Sequence, residues 1–431
     1  MVEAIASPPV PRTLAETGLP ELLVEELILK ALHTRKEMMG LGLADHLGLP
    51  FGPTEALLET LKRQKLVHVV RSSEMGGVSA VYSLTEAGDQ LASQRIAVNQ
   101  YSGKAPVPVE QYEPWVRRQQ RQRGWLNLST LEAGLSHLVL TPKLLMRLGP
   151  ALSSAKSILI YGHPGNGKTL LAESLLNLMG DAVYIPYAIE SQGQIVQVFD
   201  PQYHKPVAQE TSPSQFVTGP SSYDQRWCLV RRPLVISGGE LTPDALDLGY
   251  SEAQKFYTAP LQLKANNGIY LVDDLGRQKA APHEILNRWI VPMEQGIDYL
   301  DFRDGSKLQV PFEAFLIFST NLDPGKISDE AFLRRIQYKM LLRDPDEAEF
   351  LEIFRRSCQA LKLEYDASMV SRFIAHNYRQ AGKPMRRCHP RDVLGHAVNL
   401  IEFHNLPFAL TDEILDEAFD SCLLEEEKSH L

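Results

Sequence analysis

The chain has no long apolar run, few cysteines and no excess of basic residues, and each absence removes a class of protein. None of its hydrophobic stretches approaches the roughly 20 residues that a helix needs to cross a bilayer. The stretch Met1 to Thr13 carries Glu3 and three prolines where a secretory leader needs an unbroken apolar segment. No membrane insertion and a cytoplasmic location are expected. Four cysteines in 431 residues, Cys228, Cys358, Cys388 and Cys422, lie far apart, with no C-x-x-C pair or local His cluster. That spacing excludes a disulfide scaffold and a zinc site of the usual pattern, and fits reduced thiols. Lys and Arg total 44 against 53 Asp and Glu, a net charge of −9. A chain acidic overall does not bind nucleic acid over its whole surface, so any such site must be local.

What is present is ordinary globular composition, 44% hydrophobic, and a length that predicts more than one domain. Residues 1–18 are Pro-rich and aperiodic and read as a flexible arm. Leu22, Leu23, Leu27, Ile28 and Leu32 then space a first amphipathic helix, Leu43 to Leu47 a short second, and Thr54 to Gln64 a third. The period changes to that of strands over Leu66 to Arg71 and Val78 to Leu84, separated by Ser72 to Gly77, which predicts a hairpin. Thr85-Glu86-Ala87-Gly88 opens another helix. This order over residues 19–98 resembles a winged helix-turn-helix domain. Residues 20–95 hold eight Lys and Arg against ten Asp and Glu, although Lys62, Arg63, Lys65 and Arg71 cluster near the third helix and wing. Contact with protein and contact with duplex DNA both stay open for it. Pro106, Pro108, Pro114 and Gly103 predict an extended linker, with Arg117, Arg118, Arg121 and Arg123 following; together they set a linker at 99–130. The arginines read as a solvated face, or as a contact for phosphates or an acidic subunit.

The clearest chemistry follows. An apolar strand candidate, Ser157 to Tyr161, leads into Gly162-His163-Pro164-Gly165-Asn166-Gly167-Lys168-Thr169 and then a helical stretch from Leu170 to Met179. This is G-x-x-x-x-G-K-[ST] in its required setting of strand, loop and helix. Glycines let backbone N–H groups turn toward phosphate oxygens, and the helix N-terminus adds partial positive charge. Lys168 would reach the β- and γ-phosphates of ATP and Thr169 would offer a hydroxyl to Mg²⁺. A second strand candidate, Gly268 to Val272, ends in Asp273-Asp274, at the strand end where ligands of open α/β sheets sit. Asp273 is the candidate Mg²⁺ ligand and Asp274 the group that polarises the attacking water; the alternative is a plain cap for the following segment. A third, Ala314 to Phe318, leads through Ser319-Thr320 to Asn321.

Together these runs resemble the P-loop ATPases of the AAA+ family, with Walker A at Gly162 to Thr169, Walker B at Leu271 to Asp274 and sensor 1 at Asn321. Asp329 to Ile336 resembles the segment bearing the arginine finger, which makes Arg334 or Arg335 the residue inserted into a neighbouring subunit's site. His389-Pro390-Arg391-Asp392 resembles sensor 2, with Arg391 as the γ-phosphate contact. Many members carry Asp-Glu at Walker B, where this chain has the shorter Asp274. The interval between the two Walker motifs is long enough to hold insertions. Phe256 to Gly268 resembles the stretch before Walker B in enhancer-binding activators, magnesium chelatases and MoxR-like chaperones. In those relatives a loop corresponding to Gly238 to Gly249 projects toward the ring pore; here it lacks the activators' G-A-F-T-G-A. Asp298 to Phe302 and Lys307 to Val310 across Arg303-Asp304-Gly305-Ser306 predict a hairpin that resembles the pre-sensor 1 hairpin, a pore element or a plain edge hairpin. From Pro345 the spacing is helical, and Glu425-Glu426-Glu427 is a solvated end.

The resemblance implies a fold of class α/β: a three-layer P-loop AAA+ core with a parallel sheet over 131–344 and a C-terminal helical lid over 345–431, preceded by the winged helix. It implies an ATP- and Mg²⁺-dependent ATPase in a homo-oligomeric ring, expected as a hexamer, that remodels a protein or nucleoprotein client. The alternative is an ATP-switched DNA-binding regulator of transcription or replication.

Overall fold

Leucine spacing at the N-terminal end produces the first long helix, Glu21–Arg35, which buries Val24 and then every residue from Leu27 to Leu32, so that it is covered on all sides there rather than on the single face an amphipathic helix presents. Helices Gly40–Leu47 and Phe51–Arg63 follow, the second burying Leu57, Leu58 and Leu61. Strands Val67–Arg71 and Val81–Leu84 pair antiparallel as expected. In this computed structural model, which describes residues 6–71, 76–120, 124–153, 157–207, 222–327 and 330–422, the expected hairpin loop at Ser72 to Met75 lies outside the described residues. A third strand, Glu37–Met39, pairs with Val81–Leu84; its Glu-Met-Met has no strand propensity and is recruited by its neighbour. Thr85 caps helix Glu86–Val98 by accepting from Gly88 N at 3.1 Å.

The chain divides into two units: Met1–Gln122, Met179–Tyr270 and Gln278–Leu316 make one; Arg123–Leu178, Leu271–Arg277 and Ile317–Leu431 make the other. This corrects three expectations about the first unit. The arm is not free: Pro8 O accepts from Asp224 N at 3.0 Å, and Thr17, in the short helix Leu14–Thr17, gives its carbonyl to the buried Arg226 guanidinium, also at 3.0 Å. Residues 99–114 are not an extended linker. Val107–Pro108 pairs with Ala188–Ser191, and Val109–Arg118 is a helix that accommodates Pro114 within its first two turns and buries Tyr112 and Val116. Of the four arginines there, Arg117 pairs with Glu113 and Glu313 and Arg118 lies over Trp115, while Arg121 and Arg123 fall outside the described residues. Finally, the N-terminal helices are not a separate domain, because one core joins Leu27, Leu43 and Leu58 to Ala188, Ile195 and Phe256 of the insertion.

That insertion supplies a five-stranded sheet in the order Gly249–Tyr250, Tyr257–Thr258, Gln194–Gln197, Ala188–Ser191, Val107–Pro108. The loop before it, near Glu240, holds a single 3-10 turn, Pro243–Leu246, anchored by Gln262 and Arg288. The hairpin Ile297–Asp301 with Lys307–Pro311 forms as expected, turning at Gly305 with φ of 83°, and buries Leu300, Leu308 and Val310 on one side.

A second five-stranded, parallel sheet runs in the order Leu234–Ser237, Ile269–Val272, Phe315–Thr320, Ile158–Tyr161, Tyr338–Leu341. Its second and third strands are buried throughout. The fold is therefore the α/β class expected. In the second unit the residues after Pro345 form helices Glu347–Leu361, Ala367–Ile374, His389–Phe403 and Asp412–Cys422, packed on an aromatic core of Phe350, Phe354, Phe373, Tyr378 and Phe419. The first opens with a reciprocal cap between Asp346 and Glu349. The acidic end at Glu425 lies outside the described residues, among which no helix is long and apolar enough to cross a membrane.

Candidate nucleotide site

All the residues of the candidate site belong to the second unit. Strand Ile158–Tyr161 is buried between two parallel neighbours, Phe315–Thr320 and Tyr338–Leu341, so the chain must leave it sharply at Gly162. A Cβ there would stand 2.2 Å from Leu342 O, and φ is +144°, so no residue with a side chain fits. Gly165, with φ of +78°, is likewise closed off by Cys388 Sγ at 2.6 Å from a built Cβ. The loop ends at helix Lys168–Met179, whose N-terminus faces the loop's interior.

Lys168 is buried and donates to the carbonyls of Gly162 at 3.0 Å and His163 at 3.1 Å and to Asn321 Oδ1 at 2.5 Å. Burial pushes its ammonium below the usual lysine range, against the pull of the Asp273 and Asp274 carboxylates. The Asn321 amide passes the connection on, its Nδ2 donating to Asp274 Oδ1 at 2.5 Å. Beside this relay, Thr169 Oγ1 donates to Asp273 Oδ2 at 2.7 Å. The strand carrying Asn321 lies between the P-loop strand and the Asp273 strand, and that order is what lets one amide touch both Lys168 and Asp274. One hydroxyl and one carboxylate converging in this way fit Mg²⁺, which takes few protein ligands and fills its remaining positions with phosphate oxygens and water.

These side chains open on a cavity of about 800 Å³ lined by Pro164 to Leu171, Asp273, Asp274, Asn321 and Arg391. Gly162 and His163 form the loop's entry rather than the wall. Arg391 reaches the cavity from helix His389–Phe403 but is largely exposed, and its guanidinium lies 2.9 Å from Asp392. Arg334 and Arg335 are on helix Glu330–Arg335, apart from the lining; Asp329, which begins that expected segment, falls outside the described residues.

Three groups here escaped the sequence reading. The apolar wall, His137 to Leu140 with Ile353, Ala360 and Leu361, comes from segments with no motif. His137 Nε2 donates to Ser174 Oγ at 2.9 Å, whose own hydroxyl is committed to Leu170 O at 2.7 Å. Arg387 bonds Glu349 at 3.0 Å and Val139 O, joining two helical segments to that wall. Asp344 accepts from His163 and Asn166 and forms an ion pair with Arg386. Only Asp344 had a usable signal, as a carboxylate three residues past the short strand Tyr338–Leu341.

Residues 346–421 match a family model described as a domain of unknown function (DUF8689). No curated protein matches the chain. Among solved structures it is similar to a RuvB mutant from Thermotoga maritima, at 13% identity and a TM-score of 0.39, over 67% of this chain and 71% of that one. It is also similar to NtrX from Brucella abortus in complex with ADP, at 14% identity and a TM-score of 0.39, over 69% of this chain and 60% of that one. A second Thermotoga maritima RuvB mutant matches at 13% identity and a TM-score of 0.37, over 70% and 73%.

Proposed function

We propose that this protein is an ATPase of the AAA+ type that binds ATP with Mg²⁺ in the cavity at Lys168 and hydrolyses it. The observation that carries this reading is the relay from Lys168 through Asn321 to Asp274, beside the Thr169 and Asp273 pair. The buried Lys168 ammonium turns from its carbonyl partners to the β- and γ-phosphates, whose charge offsets the burial that depresses it. The apolar wall from His137 to Leu140 and Ile353 takes the base. Asp274 orients the water, and Asn321 fixes the carboxylate's direction. Thr169 and Asp273 would hold Mg²⁺, which would supply neutralising positive charge to the phosphates. Arg391, paired with its half-buried neighbour Asp392, turns inward to the γ-phosphate. Arg334 or Arg335 serves the site of an adjacent subunit in a homo-oligomeric ring, a hexamer by family resemblance, which accords with their place outside the lining.

The helix and strand order between Glu21 and Val98 supports a winged helix that selects a protein client. Against duplex DNA as the main partner, the basic cluster is partly neutralised: Lys62 is 3.1 Å from Glu59 and Arg71 is 3.9 Å from Glu37. ATP hydrolysis measured against protein concentration, with and without duplex DNA at two salt concentrations, tests both readings. Turnover should rise with concentration, ignore DNA and fall by about 100-fold or more in Lys168→Ala. Turnover indifferent to Lys168 would defeat the ATPase, and salt-sensitive DNA stimulation would put the regulator first.

A further inference from the structure

Asp344 lies three residues beyond strand Tyr338–Leu341 and gathers donors from two distant parts of the second unit. Asn166 Nδ2 reaches its carboxylate at 2.7 Å and His163 Nδ1 at 3.1 Å, both from the P-loop. The Arg386 guanidinium closes on it from the segment preceding helix His389–Phe403. Burial raises the carboxyl's pKa, but the bonds from Asn166, Arg386 and His163 outweigh it and hold it below the usual carboxylate range. Two more bonds join the same segments: Cys388 N to Gly165 O at 2.9 Å and Arg387 N to Asn166 Oδ1 at 3.3 Å. The Asn166 side chain is thus held at both ends of its amide. The groups used are the side chains of His163 and Asn166 and the carbonyl of Gly165, not the backbone N–H groups that a phosphate cradle presents.

We infer that Asp344 is a positioning residue that latches the P-loop to the segment Arg386 to Cys388, so that nucleotide binding and the position of the helical segment are coupled. The inference rests on the nucleotide-site reading above. A carboxylate has the acceptor capacity for all three donors at once, whereas an amide at this position has one acceptor oxygen and turns its NH₂ toward a cation. Asp344→Asn is therefore nearly isosteric and yet breaks the latch.

The test uses the full chain, a fluorescent ADP titration, and hydrogen exchange over residues 384–392. In the wild type, ADP should bind in a Lys168-dependent way and slow exchange in that segment. In Asp344→Asn the Kd for ADP should rise about tenfold, as expected for one lost charge-assisted contact, and the ADP-dependent protection should vanish. The KM for ATP should rise with kcat at saturation nearly unchanged, a split that general loosening of the fold would not give. Arg386→Gln approaches the latch from the other side and should move all three readouts in the same direction, with the double variant no worse than either single. It carries the test alone if Asp344→Asn does not fold. Wild-type affinity with protection retained in either folded variant overturns the latch. A wild type that binds no ADP overturns the nucleotide site and the latch together, which separates that failure from the first.

Discussion

Asp274 has a φ of +51°, in the left-handed region that residues other than glycine rarely enter. Asp tolerates it better than most, at a cost of about 1–3 kcal/mol that the surroundings must offset. They do so through Leu275 N, which donates to Ser319 O at 2.7 Å, and Thr320 Oγ1, which donates to Leu275 O at 2.8 Å. The turn takes the carboxylate off the strand's line and toward Asn321. His389 makes a testable case at the same scale. Its ring stacks on Tyr378 with centroids 5.8 Å apart, and burial, helped by the Arg386 cation, pushes the imidazole down to about 4. The unfolded chain takes up that proton near pH 6.5, so between pH 6.5 and about 4 only the unfolded state carries it. The stabilising effect is therefore complete above pH 6.5 and declines as pH falls toward 4. Thermal melts across this interval should show a steeper loss of Tm in the wild type than in His389→Gln; parallel profiles would contradict the assignment.

At the scale of elements, one buried ion pair decides where the N-terminal arm and the expected linker go. Arg226, just before strand Trp227–Arg231, is 2.8 Å from Asp224 and spends its other donors on Thr17 O, Pro106 O and Gln111 Oε1. Both partners are almost fully buried, so deleting either strands the other's charge, and deleting Arg226 also leaves Thr17 O, Pro106 O and Gln111 Oε1 short of a donor. Arg226→Ala should destabilise the first unit by about 3–5 kcal/mol in urea denaturation, and Arg226→Met combined with Asp224→Leu should cost less. Equal losses would mean that the carbonyl contacts, not the stranded charge, carry the effect. This also explains the misreading of residues 99–114. Prolines there suggest extension, but Pro108 supplies a fixed φ at a helix start and Tyr112 and Val116 provide the one-sided burial that keeps the helix in place.

At the scale of the whole molecule, the proposed site is complete except for the arginine expected from a neighbour. If that arginine acts across a subunit boundary, two inactive variants should rescue each other. Whichever of Arg334→Ala and Arg335→Ala lowers turnover by about 1,000-fold has an intact Lys168, while Lys168→Ala still offers its arginines. An equal mixture should recover about a quarter of wild-type turnover, since a site then needs one subunit of each kind in order. No recovery in mixtures that co-assemble would place the arginine in cis or outside catalysis.

Read alone, the amino-acid order determined the local parts: the loop from Gly162 to Thr169, the strand ends at Asp273 and Asn321, the Asp304-Gly305 hairpin and the helical run after Pro345. Each depends on neighbours within a few residues, through glycine's freedom, strand periodicity or helical spacing. Tertiary structure alone decided that Asn321 lies between Lys168 and Asp274, that Asp344 and Arg386 meet the P-loop, and that the N-terminal helices share a core with the insertion. Those outcomes come from strand order and from packing between segments from 47 to more than a hundred residues apart, where the energy is set by burial and charge pairing in three dimensions. No spacing along the chain encodes them.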